Sequence, residues 1–334
     1  MKKIFRLKAI QRIAGIIALA AVIGFSMVSC GGDDDGEKDK EDPGKPWTAV
    51  ANSPFTAAIT AISYGGGKFV AGDTGTDANG KTATSTDGAT WTALTDSKIR
   101  YINAIAYGGD KFVAGDFSGN RATSTDGVNW TAVEDDNIFI NGTSKLGINA
   151  IAYDGSNFVA GGNRGKMATS TNGTTWTAVT DSTFGTNPIT AIAYGGSKFV
   201  AGGSDGKMAY STDGTTWTAV TDSTFGTTRI AAIAYGGGKF VAVGGDGKMA
   251  TSTDGATWTA VTDSIYDSTT SIRVIAYGGD KFVAGSEHGK MAVSTDGAKW
   301  TAITSTYIGA NAIAYGNGKF VVGANGGKIA YLSD

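Results

Sequence analysis

Residues 248–261 read Lys248-Met249-Ala250-Thr251-Ser252-Thr253-Asp254-Gly255-Ala256-Thr257-Trp258-Thr259-Ala260-Val261. Two short strand patterns flank a turn of five residues. Aspartate tolerates left-handed backbone and accepts hydrogen bonds from nearby amides, and the glycine after it supplies a positive φ. The stretch therefore predicts a tight antiparallel hairpin. Upstream lie two more strand patterns, Ile230–Tyr235 and Lys239–Val243, separated by Gly236-Gly237-Gly238. Four strands of four to six residues within about 41 residues is the size of a propeller blade. A helical repeat of that length would need apolar residues at spacings of 3, 4 and 7 and far less glycine than the 51 present.

The unit recurs along the chain. Tryptophan opens a Trp-Thr-Ala-aliphatic tetrapeptide at 47, 91, 130, 176, 217, 258 and 300. A Tyr-Gly or Tyr-Asp pair begins at Tyr64, Tyr107, Tyr153, Tyr194, Tyr235, Tyr277 and Tyr315. The Ser-Thr-Asp/Asn-Gly turn begins only six times, at Ser85, Ser124, Ser170, Ser211, Ser252 and Ser294. The sequence stops at Ser333-Asp334, midway through a seventh turn, and after its first 46 residues resumes with what should follow one. The expectation is an all-β, seven-bladed propeller of four antiparallel strands per blade over residues 47–334. Its last blade is closed by the N-terminal strand Trp47–Val50, which leaves no open sheet edge.

The Ser-x-Asp-Gly-x-x-Trp turn resembles the Asp-box of sialidase-like, bacterial-neuraminidase-repeat propellers, one residue shorter between serine and tryptophan. The resemblance spans the whole repeat region. It implies that serine, aspartate and aromatic residue stabilise the turn between third and fourth strands. The matching positions are Ser85, Asp87 and Trp91; Ser124, Asp126 and Trp130; Ser170, Asn172 and Trp176; Ser211, Asp213 and Trp217; Ser252, Asp254 and Trp258; and Ser294, Asp296 and Trp300. Calcium is the competing reading of these aspartates. It wants six to eight oxygens, and each box offers one carboxylate. No metal and no cofactor are expected.

Residues 1–29 read as a lipoprotein signal peptide. A basic start, Lys2 to Arg12, precedes an apolar run from Ile13 to Phe25, too short to span a bilayer comfortably. The run ends in Met27-Val28-Ser29-Cys30, similar to a bacterial lipobox, which implies lipidation of Cys30 and cleavage before it. Cys30 is the only cysteine, so no internal disulfide is possible. Residues 30–46 carry seven acids, three bases and no large apolar side chain, the composition of a solvated tether. The acidic cluster also resembles the surface-export signal of some Bacteroidetes lipoproteins. The implied address is the outer membrane, facing outward, with a monomeric propeller held to the membrane through Cys30.

The first 30 residues hold five bases and no acid, so the remainder carries a net charge of −7. That opposes a nucleic-acid partner, which needs clustered cations. Propeller loops joining fourth to first and second to third strands share one face, and here those loops vary while the boxes do not. On that face one position precedes each inner strand: Thr60, Asn103, Asn149, Thr190, Ala231, Arg273 and Asn311. In register, these would ring the mouth of a central channel, as a binding site or as polar caps of a water-filled hole. A second stripe, Phe55, Ile99, Ile138, Phe184, Phe225, Tyr266 and Ile308, offers either carbohydrate-stacking platforms or inward-tucked loop anchors.

Catalysis is poorly supported. A sialidase needs three arginines around a carboxylate, yet Arg100, Arg229 and Arg273 stand in different registers. Only Glu134 and Glu287 could form a retaining carboxylate pair, which requires a separation of about 5 Å. His288, the one histidine, has no serine or cysteine pattern beside it. Near-identical units such as those sharing Trp-Thr-Ala-Val-Thr-Asp-Ser-Thr-Phe-Gly-Thr suit repeated binding better than an asymmetric active site. The expected role is a non-catalytic interaction scaffold for a protein or glycan ligand, with glycan binding or cleavage as the alternative.

Overall fold

The computed structural model describes residues 47–75, 80–94, 98–99, 101–134, 137–303 and 309–334. Cys30 and the segments expected to be signal peptide and tether lie outside them, as do Arg100 and Ile308. Seven four-stranded antiparallel sheets follow one another around a closed ring. Numbered in chain order, blades 1 to 6 span residues 59–94, 102–133, 148–178, 189–219, 230–260 and 272–303. Blade 7 takes residues 310–333 and borrows its outermost strand from the N-terminus. Thr48 pairs with Tyr331 and Ala49 with Ala330, and the Val50 amide donates to the Ile329 carbonyl at 2.9 Å.

In blade 5 the strands are Ile230–Gly236, Lys239–Gly244, Met249–Ser252 and Thr259–Ala260. They agree with the sequence pattern to within two residues at each end. The longest loop, after Glu134, contains a small hairpin of its own, Ile140–Asn141 against Ser144–Lys145.

The apolar core is divided into seven layers, each lying between two adjacent blades. Trp258 of blade 5, for example, packs with Ala191, Ala193 and Val200 of blade 4 over Phe240 and Ile233 of its own blade. Each of the seven tryptophans serves one layer, and all are 8% exposed or less. Aromatic residues bury large areas, so this interdigitation is the main source of stability. Blades also approach too closely for side chains at some points: a Cβ on Gly236 would lie 2.0 Å from Cγ of Tyr277 in the next blade.

The turns themselves are hydrogen-bonded as their composition requires. Ser252 Oγ donates to Asp254 Oδ1 at 3.0 Å and accepts from the Gly255 amide at 2.8 Å. Asp254 Oδ1 accepts from the amides of Ala256 and Thr257, both at 2.8 Å. The Trp258 indole closes the turn on the Gly255 carbonyl at 3.2 Å. Gly255 has φ +72° and faces Val200 of blade 4, so no other residue fits there without strain. Asn172 reproduces the acceptor role without a charge, at 2.9 and 2.8 Å from the Thr174 and Thr175 amides.

These bonds stabilise the ionised aspartate. The Thr90 amide is the largest influence on Asp87 and the Thr257 amide on Asp254; both carboxyls are lowered to about 2. Asp126, Asp213 and Asp296 are lowered as well, each chiefly by the amide three residues on. A depressed native pKa adds stability that is complete above the unfolded value, about 3.9, and lost as pH falls through the native one. The urea midpoint should therefore fall steadily between about pH 5 and pH 2. Asp254→Asn should fold and should make that acid slope shallower, since Asn172 already serves in blade 3. An unchanged slope would show that the turn carboxylates contribute nothing in acid.

Blades are also latched by lysines that open their second strands. Lys68, Lys111, Lys198, Lys239 and Lys319 each donate to the carbonyl of the turn aspartate or asparagine in the following blade, at 2.8 to 3.0 Å. Lys281 reaches the Asp334 carboxylate instead, at 3.2 Å. Asp334 stands where the turn aspartate of blade 7 belongs, and the Tyr315 hydroxyl donates to it.

Candidate functional site: a funnel at the mouth of the central channel

All seven inner strands carry a register shift at the same point, between Ile59 and Ala61 in blade 1 and at the equivalents around the ring. The bulged residue of each is the ring position singled out above. A bulge re-aims a side chain and leaves the ladder locally open. Here it turns Thr60, Asn103, Asn149, Thr190, Ala231, Arg273 and Asn311 into one funnel of about 620 Å³. Beneath it the channel narrows to a throat of about 200 Å³ lined by the alanines and isoleucines that follow, such as Ala61 and Ile62.

Much of the ring's polarity is used to tie blades together. Thr60 Oγ1 donates to the Ile102 carbonyl of the next blade, and Thr190 Oγ1 does the same to Ile230. Asn149 Nδ2 donates to the Ile189 carbonyl at 2.9 Å and to Asn163 Oδ1 at 3.0 Å. Arg273 donates to Asn311 Oδ1 at 3.1 Å and to Glu287, and Asn311 donates to Asn325 Oδ1 at 2.8 Å. Thr60, Thr190 and Asn149 thereby give inner-strand carbonyls of the neighbouring blade a partner.

Three polar groups of the funnel are not spent in this way. Among the described residues, the side chains of Asn103, Ser204 and Arg229 have no hydrogen-bond partner. Arg229 precedes the inner strand of blade 5 and is exposed, yet its guanidinium pKa is lowered, by surrounding protein first and the nearby Arg273 charge second. Phe117, which follows the second strand of blade 2, also lines the funnel and is 64% exposed. Its amide donates to the Tyr101 carbonyl at 3.1 Å, which fixes the backbone while leaving the ring in solvent.

A second ring thus lies outside the first, formed by Phe117, Asn163, Ser204 and Asn325 at the residue after each second strand. Only the inner ring stands out in the sequence. The signal for the outer one is the third letter of each variable loop, aligned on the strand end. Glu287 holds the same position in blade 6 and is shared by Arg273 and His288, whose Nε2 is 3.5 Å from Oε1. Glu134 does not line the funnel, and Arg100 is not among the described residues. No group of three His, Cys, Asp or Glu side chains converges among those residues.

The turn residues lie on the opposite face. The aromatic stripe is tucked inward: Phe55, Ile99, Phe184, Phe225 and Tyr266 are all 7% exposed or less. In the third unit the anchor slips by one residue. Phe139 is buried at 3% and Ile138 only partly so, because the long loop inserts its own hairpin there.

Among curated proteins, none matches this chain in sequence. Solved structures match in fold. The structure described as YCF48 bound to D1 peptide has a TM-score of 0.67 at 16% identity, over 87% of this chain and 96% of that one. YCF48 from Cyanidioschyzon merolae gives 0.64 at 17% identity, over 86% and 98%. The WD40 beta propeller domain of Doa1 gives 0.60 at 12%, over 86% and 96%. At such identities the likeness is one of fold. A family described as the DUF6242 beta propeller domain matches at residues 46–161, 137–268 and 191–307, and with most of the ring covered the chain belongs to that family.

Proposed function

We propose that this protein is a non-catalytic interaction propeller, tethered to the bacterial envelope through Cys30, that docks a peptide segment of a partner protein in its funnel. The observation behind this reading is the set of unspent groups there: Asn103, Arg229 and exposed Phe117 share one concave mouth on the variable face. A solved propeller of similar fold is described with a peptide bound, which supports the same mode here. Glu287 is engaged by Arg273 and His288, so among the described residues no free carboxylate pair lines the mouth for glycoside chemistry.

A partner captured by the full chain should be lost with Phe117→Ala and retained with Thr257→Ala on the turn face. Loss with the second variant alone would reverse the choice of face. The second reading, binding or cleavage of glycans by a relative of the sialidases, draws on the adjacency of Arg229 and Arg273. Glycan-array binding or saccharide hydrolysis, with no peptide binding, would establish it instead.

The anchor and its outward orientation belong to the same proposal. Cells fed an alkyne-bearing fatty acid should label the full chain, and Cys30→Ala should remove the label; label that survives would falsify the anchor. Protease applied to intact cells should release the propeller if it faces outward, whereas release only after lysis places it inside.

A further inference from the structure

We infer that the funnel selects a peptide by a carboxylate, which Arg229 receives, while an apolar residue farther along that peptide rests on Phe117. This deepens the peptide-docking reading above and rests on it.

The chain after Cys30 has a net charge of −7, yet among the described residues the funnel lining holds two guanidinium groups and no carboxylate. Glu287 stands just outside and neutralises Arg273, whose donors also serve Asn311. Arg229 keeps its whole planar fork for a ligand. Such a fork matches a carboxylate with two parallel hydrogen bonds, and the partial exclusion of water strengthens them.

One net positive charge suits a monoanion. A dianionic phosphate would also meet the acids of the surrounding loops. These are Glu287, Asp246 held by Thr228 at 2.7 Å, and Asp205 held by Asn187 at 2.9 Å. Arg164 and His288 hold the equivalent loop positions of blades 3 and 6, Lys166, Lys207, Lys248 and Lys290 close the same loops, and Asp267 is paired with Lys290.

Position supplies the second half. In a ring of seven, blade 2 lies across the channel from blades 5 and 6. Phe117 and Asn103 of blade 2 therefore face Arg229 and Arg273 over the mouth. An anion-binding subsite on one side of the mouth, with a free side-chain amide and then an apolar ledge on the other, fits an extended peptide that crosses it. The carboxylate goes to Arg229, a peptide group to Asn103, and an apolar side chain farther along to Phe117. Both the free C-terminus and an acidic side chain carry that chemistry.

The full chain would be titrated by fluorescence polarisation with three fluorescein-labelled heptapeptide pools. One carries an internal Leu or Phe and a free C-terminal carboxylate, one is the same pool amidated, and one is amidated with an added Glu. At least one acidic pool should bind roughly tenfold or more tightly than the amidated neutral pool. Whichever acidic pool binds identifies the source of the carboxylate.

Arg229→Gln should abolish the difference at an unchanged urea midpoint, since the side chain is exposed, and Arg229→Lys should restore part of it. Salt should weaken the acidic pool selectively. Equal binding of acidic and amidated pools, or no effect of Arg229→Gln, overturns the inference. If Phe117→Ala still weakens binding in that case, peptide docking survives without the carboxylate. If no pool binds, both readings fall together.

Discussion

Trp47→Ala should lower the stability of the ring by about 3–5 kcal/mol, among the largest effects available to one substitution. Trp47 is 3% exposed and packs against Ile303 of blade 6 and Phe320, Val322 and Leu332 of blade 7. It is also the anchor of the strand that closes the ring, since only Thr48 and Ala49 pair with Tyr331 and Ala330. Loss of the anchor should free that strand and expose Ile329–Ser333 as an open edge, a template for pairing between molecules.

The control is Trp91→Ala in blade 1. Trp91 is similarly buried, at 8%, but its strand is joined to the rest of its sheet by a short hairpin. Both variants should lose a comparable amount in urea, and only Trp47→Ala should form concentration-dependent oligomers. A midpoint for Trp47→Ala no lower than that of Thr48→Ala, an exposed position, would remove the closing strand from the account of stability.

Gly236→Ala should cost about 3 kcal/mol, at the upper end of what one added methyl group does in a packed interior. The new Cβ would fall 2.0 Å from Tyr277 Cγ and 2.1 Å from Cδ1, in a neighbouring blade whose tyrosine ring is itself packed against Phe282. Neither side can retreat without parting the two blades. Gly238, two residues away, has φ +78° and nothing within 4 Å of a would-be Cβ. Gly238→Ala should therefore cost only its left-handed backbone, about 1 kcal/mol. Urea midpoints of the two variants check the ordering, and the reverse ordering would mean that blade contact is looser than the tyrosine ring implies.

The fold was legible because each blade states it again. Trp258 and the Ser252–Gly255 turn define a hairpin unaided, and the count of seven tryptophans against six turns points to the closing strand. What the repeat pattern cannot reveal is where one blade departs from the rest. Arg121 occupies the register held by Met167, Met208, Met249 and Met291, and is buried at 2% with its guanidinium 5.7 Å from the Phe139 ring and 5.5 Å from Trp176. Charged residues are seldom buried, so sequence alone places such a side chain at the surface. The slip from Ile138 to Phe139 is similar, because it depends on a loop hairpin that no strand period announces.

The channel mouth was legible as a ring because its residues recur before each inner strand. Its internal economy was not. Thr60, Thr190 and Asn149 bind carbonyls of the next blade, a use that depends on bulges and on the distance between blades. The interblade lysines were equally hidden: Lys239 looks like a solvated strand end, yet its ammonium is 2.8 Å from the Asp296 carbonyl. Arg229 stood out in sequence only as a cation in the wrong register. Its importance comes from the absence of a partner at the funnel, a property of the folded ring.

If binding occurs on the variable face as proposed, amide hydrogen exchange of the full chain with and without a bound partner tests it most directly. Protection should appear where inner strands begin and second strands end, around Asn103, Phe117, Asn163 and Arg229. The turns at Asp87, Asp126, Asp213, Asp254 and Asp296 should exchange as before. Protection concentrated on those turns, with the funnel segments unchanged, would contradict it.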